Sequence, residues 1–220
     1  MKDRMTIRAT ATAARPRSTY RHGDLRRALL DAGIELARTG GPEAVVLREA
    51  TRRAGVVPNA AYRHFESRQA LLQAVRAAAL AAVARAMEAE LAALAPLAEP
   101  VAFARASVRA VGTGYLRFAQ SETGLFRTAF ATPVDVEQEP DQAKGGDSGL
   151  DPFQLLGAAL DRLVDAGAMP PERRPGAEFL AWSAVHGLAL LVIDGPLRGL
   201  PREQVDALGQ RLLDMVEKGL

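Results

Sequence analysis

The sequence has 220 residues, of which 48% are apolar, so it is long enough for one large domain or for a small domain followed by a larger one. It contains no cysteine, which excludes disulfides, thiolate metal sites and cysteine nucleophiles. The net charge is only +2, but residues 1–68 hold 14 Lys and Arg against 7 Asp and Glu, and the remainder is acidic. A basic amino-terminal third of this kind is typical of a chain that meets a polyanion at one end.

Residues 1–19 are basic and rich in Thr and Ala, and they lack the apolar core of a secretory signal. They predict a disordered basic arm, with a transit peptide as the alternative interpretation. No run of about 18 uninterrupted apolar residues is present, so no membrane span is expected and a cytoplasmic location is predicted.

Residues 20–67 have the periodicity of three helices joined by tight turns. The first helix is predicted over Asp24–Arg38, the second over Val46–Ala54 and a short third over Pro58–Phe65. Gly55 supplies the turn between the last two, because a residue without Cβ adopts positive φ at low cost. Two short helices around such a turn, the second of them polar, favour a helix-turn-helix.

Two stretches make this assignment specific: YRHGDLRRALLDAGIELARTGG and LREATRRAGVVPNAAYRHFESRQALL. They cover about Tyr20 to Val75 and resemble the N-terminal domain of TetR/AcrR-family transcriptional regulators, most specifically in AGV-x-P-x-x-A-Y-R-H-F. Trp182, His186 and Gly187 resemble the C-terminal domain type named for these three residues. The resemblance implies an all-helical homodimer. Two DNA-binding heads would meet successive major grooves of a palindromic operator, and a ligand-sensing body would control their spacing.

The second helix of a helix-turn-helix lies in the major groove, so its polar side chains are the candidate DNA contacts. Arg63 suits guanine or phosphate and Asn59 suits adenine or phosphate, whereas Tyr62 and His64 offer single donors for the DNA backbone. The alternative interpretations are a core or rim aromatic for Tyr62 and a solvated or core histidine for His64. Ala61 and Phe65 are expected to pack inside. The predicted DNA-binding residues are Arg48, Val57, Asn59, Ala60, Tyr62, Arg63, His64 and Arg68.

The sequence departs from the family pattern where the second and third helices begin, because Val46 and Val57 stand in place of a capping Ser or Thr. A missing cap typically costs about 1 kcal/mol, and here it also removes a hydroxyl donor for phosphate. Val57 still suits an N-cap backbone because it precedes Pro58, with Asn59 as an alternative cap of a shorter helix.

The rest of the chain, residues 68–220, is predicted to be a helical ligand-binding and dimerisation domain. Its first helix is capped by Ser67 and runs to about Ala95. Pro133 to Gly149 is acidic and Gly-rich, which predicts a mobile loop too polar to pack. The other helices are expected near 101–120, 122–131, 152–167, 174–194 and 202–218.

A ligand pocket is expected among the aromatic side chains of this domain, because small-molecule sites are apolar cavities with few polar groups. Each aromatic residue alone is also compatible with simple core packing. His186 is interpreted first as a hydrogen-bonded core histidine beside a tight helix contact at Gly187, and second as a ligand contact. The candidate pocket residues are Phe103, Ser107, Tyr115, Phe126, Phe130, Phe153, Trp182 and His186.

The last two helices are the predicted homodimer interface. Phe179 to Ile193 is apolar nearly all round, as in a helix buried in a core or against a partner chain. The final helix adds six apolar positions: Leu200, Val205, Leu208, Leu212, Leu213 and Val216.

Two other classes of protein compete with a ligand-responsive regulator, most simply a repressor. An enzyme is disfavoured because the sequence has no G-x-S-x-G elbow, no P-loop and no metal-spaced histidine pair, so no catalytic residue, cofactor or metal is expected. An architectural DNA-binding protein without a ligand is the remaining alternative, which the large aromatic-bearing body disfavours.

Overall fold

The computed structural model describes residues 25–95, 98–131 and 142–219; the predicted basic arm lies outside them. In these ranges the chain forms helices and no strand, which confirms the all-α prediction. Three short 3-10 helices occupy Pro42–Ala44, Gln142–Lys144 and Pro171–Arg173. The α-helices are α1 (Leu25–Gly40), α2 (Leu47–Ala54), α3 (Pro58–Ala61), α4 (Arg68–Ala92), α5 (Pro100–Ser121), α6 (Thr123–Ala129), α7 (Pro152–Asp165), α8 (Ala177–Ile193) and α9 (Arg202–Gly219).

The first three helices form a small head on the amino-terminal end of α4. Leu29 and Leu36 lie on one face of α1, at a spacing of about two turns, and both are buried. Gly33 lies on the same face, where a Cβ would come within 2.7 Å of the Val75 side chain. The absence of a side chain at Gly33 therefore lets α1 approach α4 closely.

Helix α3 is shorter than its predicted extent. It ends at Ala61, and Tyr62 to His64 form a turn instead of continuing to Phe65. The backbone N–H groups of His64 and Phe65 both donate to the Ala61 carbonyl, at 2.9 Å. The turn brings Phe65 back into the core, beneath the guanidinium of Arg26 at 5.1 Å from the ring centroid. Ala61 is also fully buried, so the inward packing predicted for these two residues is confirmed.

Helix α4 is the central element of the molecule and packs most extensively against α5. The Ser67 hydroxyl accepts the backbone N–H of Ala70 at 3.1 Å, which confirms the predicted cap. By length and composition alone α4 is apolar enough to cross a membrane, but about half of that stretch is buried inside the protein. Its residues Val75, Val83 and Met87 are core positions, so its apolar character is accounted for by packing.

The loop predicted to be mobile packs on α4 over its described part, so the prediction that it is too polar to pack is wrong for residues 142–149. The Glu88 carboxylate of α4 accepts the backbone N–H groups of Asp147 and Ser148 at 2.8 and 2.9 Å. A single charged acceptor thus satisfies two backbone donors of this polar segment. The remainder of the predicted loop, residues 133–141, lies outside the described residues.

The head meets the body at α6 as well as through α4. Arg38 at the end of α1 donates from Nε to the Glu122 carboxylate at 2.8 Å, and it also pairs with Glu35. A Cβ on Gly124 would overlap the carbonyl oxygens of Ala37 and Arg38. The first turn of α6 therefore lies directly against the last turn of α1, and only glycine fits there.

Helices α8 and α9 cover one side of the body. Ala181, Val185 and Ala189 are buried on the inner face of α8, whereas its outer face leaves Leu180 69% exposed. On that outer face Phe179, Leu190 and Leu191 are exposed as well. The dimer interface predicted on α9 is wrong at three residues. Val205 and Leu213 are buried within the same chain, and Val216 lines a cavity of that chain, so none of them is available to a partner subunit.

Candidate functional sites

The head carries an exposed ridge formed by α2, the following turn and α3. Gly55 adopts φ 69° and ψ 28°, and the backbone N–H of Val56 donates to the Thr51 carbonyl at 3.0 Å. The buried Thr51 hydroxyl donates to the Arg48 carbonyl at 2.7 Å, so the turn is fixed from inside. This left-handed glycine ends α2 and orients α3 as a separate element.

Four polar side chains of α3 and its following turn point outward or lie half-buried: Asn59, Tyr62, Arg63 and His64. Within the described part of the chain, their side chains form no hydrogen bond or ion pair. Ala60 lies among them, half-buried, and presents only a methyl group. This helix and the turn after it therefore present unpaired hydrogen-bond donors and one small side chain, the residue types that contact bases and phosphates in a DNA groove.

The cations of α2 are arranged around one carboxylate. Glu49 accepts from the Arg52 guanidinium at 2.6 Å and lies 3.6 Å from that of Arg53. The hydrogen bond from Arg52, with the positive charges of Arg52 and Arg53, lowers the pKa of Glu49. Arg48 is exposed and outside this cluster, so it is the residue of α2 whose charge is available at the ridge.

Both valines at the helix starts have N-cap backbone geometry and no capping side chain. Val46 precedes α2 with φ −119° and ψ 128°, and Val57 precedes α3 with φ −75° and ψ 144°. Val57 is 68% exposed and Pro58 occupies the first helical position, as predicted. Since the helix begins at Pro58, the alternative in which Asn59 caps a shorter helix is wrong.

Arg68 lies at the base of the ridge and is committed to structure within the head. Its Nε donates to the Val45 carbonyl and one terminal nitrogen to the Pro42 carbonyl, both at 2.8 Å. These bonds tie the start of α4 to the segment between α1 and α2. The phosphate contact predicted for Arg68 therefore competes with a role in holding the head together.

A cavity of about 150 Å³ lies in the body, between α4, α5, α7, α8 and α9. Four of the predicted pocket residues line it: Tyr115, Phe130, Phe153 and Trp182. The rings form a continuous cluster, with Phe153 6.1 Å and Phe130 6.2 Å from Trp182 between centroids. A concave apolar site with a few polar groups is typical of small-molecule binding.

Two of these lining residues, Trp182 and Tyr115, form a hydrogen-bonded chain with His186. The Trp182 indole donates to the Tyr115 oxygen at 3.2 Å, and that hydroxyl lies 2.7 Å from Nδ1 of His186. Burial raises the pKa of Tyr115, partly offset by the hydrogen bond from Trp182, so the phenol stays protonated. His186 is thus hydrogen-bonded, as the first interpretation expected, but it is half-buried and not a core residue.

The other predicted pocket residues lie beside the cavity and do not line it. Phe103 is exposed, and the buried Ser107 hydroxyl donates to the Phe103 carbonyl at 2.8 Å. Phe126 is fully buried behind Tyr115 at 5.4 Å, so it supports the wall from outside the cavity. The tight contact predicted at Gly187 is also wrong, since a Cβ there would meet no atom within 4 Å.

Sequence reasoning missed the polar residues of the cavity: Arg76, Lys144, Asp151 and Gln154. Arg76 was detectable in principle, as a lone cation in an otherwise apolar stretch of α4. Lys144 was not, because it lies in the segment predicted to be mobile. Within the ranges described above, no cluster of three or more His, Asp or Glu side chains is suited to a metal ion.

His186 makes stability depend on pH in a defined direction. Burial lowers the pKa of His186 below the ordinary 6.5. As the pH falls below 6.5, the imidazole is therefore protonated more readily in the unfolded chain than in the folded one. This contribution to stability is complete above pH 6.5 and is lost as pH falls toward the folded pKa. We expect the urea concentration at the unfolding midpoint to decrease as the pH is lowered from about 7.5 to 5.5. The decrease should be smaller in His186→Gln. Equal slopes in the two proteins would assign the effect to other groups.

Two family models match the sequence. One, described as bacterial regulatory proteins of the tetR family, matches residues 29–75, and one described as a tetracyclin repressor-like C-terminal domain matches residues 108–216. The first spans the ridge of the head. The second spans most of the body, including Trp182, His186 and Gly187. The search of curated proteins gives no match.

Several solved structures share the fold. A protein of unknown function from Rhodococcus sp. RHA1 superposes with a TM-score of 0.71 at 26% identity, over 93% of this chain and 99% of that one. FadR from Bacillus subtilis, in complex with stearoyl-CoA, gives 0.61 at 14% identity over 88% and 98%. A TetR variant from Acinetobacter baumannii AYE, in complex with minocycline, gives 0.54 at 22% identity over 87% and 93%. The similarities to FadR and to the TetR variant, at 14% and 22% identity, show only that the fold is shared.

Proposed function

Because the chain belongs to the TetR family of bacterial transcriptional regulators, we propose that it is a repressor that a small ligand releases from a palindromic operator. Members of this family are generally non-enzymatic DNA-binding proteins. The observation that carries the proposal is the set of unpaired donors on α3 and the turn after it, in a head that is joined through α4 to a body with a cavity. Chromosomal DNA as partner implies a cytoplasmic location.

In the proposed complex α3 enters the major groove. Arg63 reads guanine or grips phosphate with its fork of donors, and Asn59 pairs with adenine or phosphate. Tyr62, His64 and Arg48 bind the backbone, and Ala60 allows close approach or touches a thymine methyl. Arg68 supports the head and contributes to binding phosphate only with the donor capacity that its bonds to Val45 and Pro42 leave.

A hydroxyl at position 57 should tighten DNA binding. In Val57→Ser the new Oγ caps α3, which is worth about 0.5–2 kcal/mol, and it offers a donor for phosphate. Because phosphate contacts carry no sequence information, affinity should rise for specific and random DNA alike in a gel-shift titration. Val57→Ala is the matched control, since it removes the same exposed methyl groups without adding an oxygen. Equal affinity of these two variants would show that no phosphate lies within reach.

We propose that the dimer forms through the exposed face of α8 together with the outer face of α9. Leu180, Leu190 and Leu191 are exposed on α8, and Met215 on α9 is 60% exposed. Apolar side chains grouped in this way are typical of an interface between subunits. A two-fold dimer places its two α3 helices about one helical turn of DNA apart.

Ligand would act by shifting a population of body conformations. Helix α4 contributes Leu80 and Met87 to the cavity and carries the head at its other end. A ligand that favours a body whose heads no longer match the groove spacing lowers operator affinity, and DNA then weakens ligand binding by the same factor.

The proposal is tested by pairing two measurements on the same compounds. A thermal-shift screen identifies small molecules that stabilise the protein, as a ligand of the folded state must. Fluorescence anisotropy with a selected duplex then measures operator affinity with and without each of them. We expect stabilising compounds to weaken operator binding. A compound that binds in the cavity and leaves operator affinity unchanged contradicts the coupling and favours a ligand-independent DNA-binding protein.

A further inference from the structure

Arg26, in the first turn of α1, is a cation that is oriented but unpaired. The carbon of its guanidinium lies over the Phe65 ring, 5.1 Å from the ring centroid. The side chain is exposed, and within the described part of the chain it forms no hydrogen bond or ion pair. The negative face of the ring attracts the guanidinium, and its five N–H donors remain available. Arg26 therefore presents a restrained cation to an outside partner.

Arg26 lies at the end of the head that faces away from the body. The last turn of α1 packs against α6, where a Cβ on Gly124 would overlap two carbonyl oxygens of α1. Arg26 is about 18 Å from that contact along the helix axis, at about 1.5 Å per residue. Phe65 beneath it directly follows His64, the last residue of the turn after α3. The guanidinium of Arg26 is therefore beside the ridge of α2 and α3.

This position suits a contact to the DNA backbone. With α3 in the major groove, a side chain of α1 beside the ridge lies outside the groove, where the duplex presents phosphates. Arginine binds a phosphate through two parallel N–H donors. Because the Phe65 ring already restrains the side chain of Arg26, less rotamer freedom is lost when the contact forms.

We propose that Arg26 is a further DNA-binding residue of the head, which the Phe65 ring holds toward a backbone phosphate beside the groove that α3 enters. The inference rests on the proposed function, and it adds a contact that lies outside the helix-turn-helix. In a two-fold dimer the two copies of Arg26 neutralise two phosphates. The competing explanation is that Arg26 only shields Phe65 from water, which would affect the stability of the head and not its affinity for DNA.

The salt dependence of DNA binding tests this contact, because each neutralised phosphate adds about 0.9 to the magnitude of the slope of log Kobs against log salt concentration. Fluorescence anisotropy measures the Kd for a selected duplex and for a random one between about 50 and 200 mM salt. In Arg26→Gln the slope should become shallower by about 1.8 per dimer. Affinity at the lowest salt should fall about tenfold or more, by the same factor on both duplexes, because phosphates carry no sequence information.

Two further variants separate this contact from the effect of charge in general. Arg27→Gln removes the same charge from the next residue, whose side chain is 80% exposed and pairs with Asp31, so it should leave the slope nearly unchanged. Arg26→Lys keeps the charge and therefore the slope, but it should bind both duplexes more weakly than the wild-type protein, because lysine lacks the planar fork. Thermal unfolding of each variant verifies that the head is folded.

An unchanged slope in Arg26→Gln, or a slope equal to that of Arg27→Gln, overturns the inference. A lower Tm in Arg26→Gln with an unchanged slope overturns it too, and assigns Arg26 to shielding Phe65. Loss of affinity for the selected duplex alone contradicts a phosphate contact, and wild-type affinity in Arg26→Lys contradicts the role of the ring. Failure of the proposed function gives a different result, because the wild-type protein would then bind neither duplex.

Discussion

Arg63→Ala should abolish recognition of the specific site while leaving most of the affinity for random DNA. A good bidentate contact to a base is worth about 1–3 kcal/mol, and a two-fold dimer makes it twice. The specific Kd should therefore rise roughly 30-fold or more. Since Arg63 is exposed and forms no bond within the described part of the chain, its loss should not change the stability of the head.

The matched control for this variant is Arg27→Ala. Arg27 lies on α1, on the same head, and is 80% exposed with only a long ion pair to Asp31 at 3.8 Å. Arg27→Ala removes the same charge at a position away from α3. Any loss of DNA affinity common to both variants therefore reports long-range electrostatics alone. Equal losses of affinity on specific and random DNA in Arg63→Ala would assign Arg63 to phosphate binding.

Gly124→Ala should loosen the junction between head and body. The added Cβ would overlap two backbone carbonyl oxygens of α1, those of Ala37 and Arg38, and backbone cannot turn aside as a side chain does. Either α6 or the last turn of α1 must shift, at a cost of about 1–3 kcal/mol in the free energy of unfolding. For a chain of this size that corresponds to a fall in Tm of about 2–12 °C. Specific DNA affinity should fall as well, because the orientation of the heads sets the match to the groove spacing.

Gly157→Ala separates the effect of the junction from that of adding a methyl group to a helix. Gly157 lies in α7, and a Cβ there would be 3.6 Å from the flexible Arg174 side chain, an ordinary contact. Replacing a glycine inside a helix should raise stability by about 0.5–1 kcal/mol. Calorimetry and anisotropy on both variants give the comparison. If Gly124→Ala matched the wild-type protein in Tm and DNA affinity, the close packing of α6 on α1 would be refuted.

The sequence predicted the elements that local chemistry determines. Gly55 ends α2 with positive φ, Ser67 caps α4, and Ala61 and Phe65 pack inside, since each of these features depends on residues within a few positions of one another. The early end of α3 was not predictable in the same way. The spacing of Ala61 and Phe65 also fits a continuing helix, and only the packed position of Phe65 beneath Arg26 favours the turn.

The cavity was predicted only in part because its residues come from five α-helices and from two shorter segments, at Phe130 and Lys144, and share no local pattern. Four aromatic residues line it, but the direction in which Phe103 and Phe126 point depends on how α5 and α6 are rotated against their neighbours. The ordered segment after residue 141 depends on Glu88, about sixty residues earlier in the chain. A carboxylate that satisfies distant backbone donors leaves no periodic signal in the sequence.

The central claim is that two copies of α3 read a two-fold symmetric DNA site, and selection of bound sequences from random DNA tests it most directly. Wild-type protein should enrich an inverted repeat whose half-sites are about 10 base pairs apart, or a multiple of that spacing. Arg63→Ala, carried through the same selection, should lose the preference at one position of each half-site. Enrichment of no motif, or of a single unrepeated site unaffected by Arg63→Ala, would contradict the account.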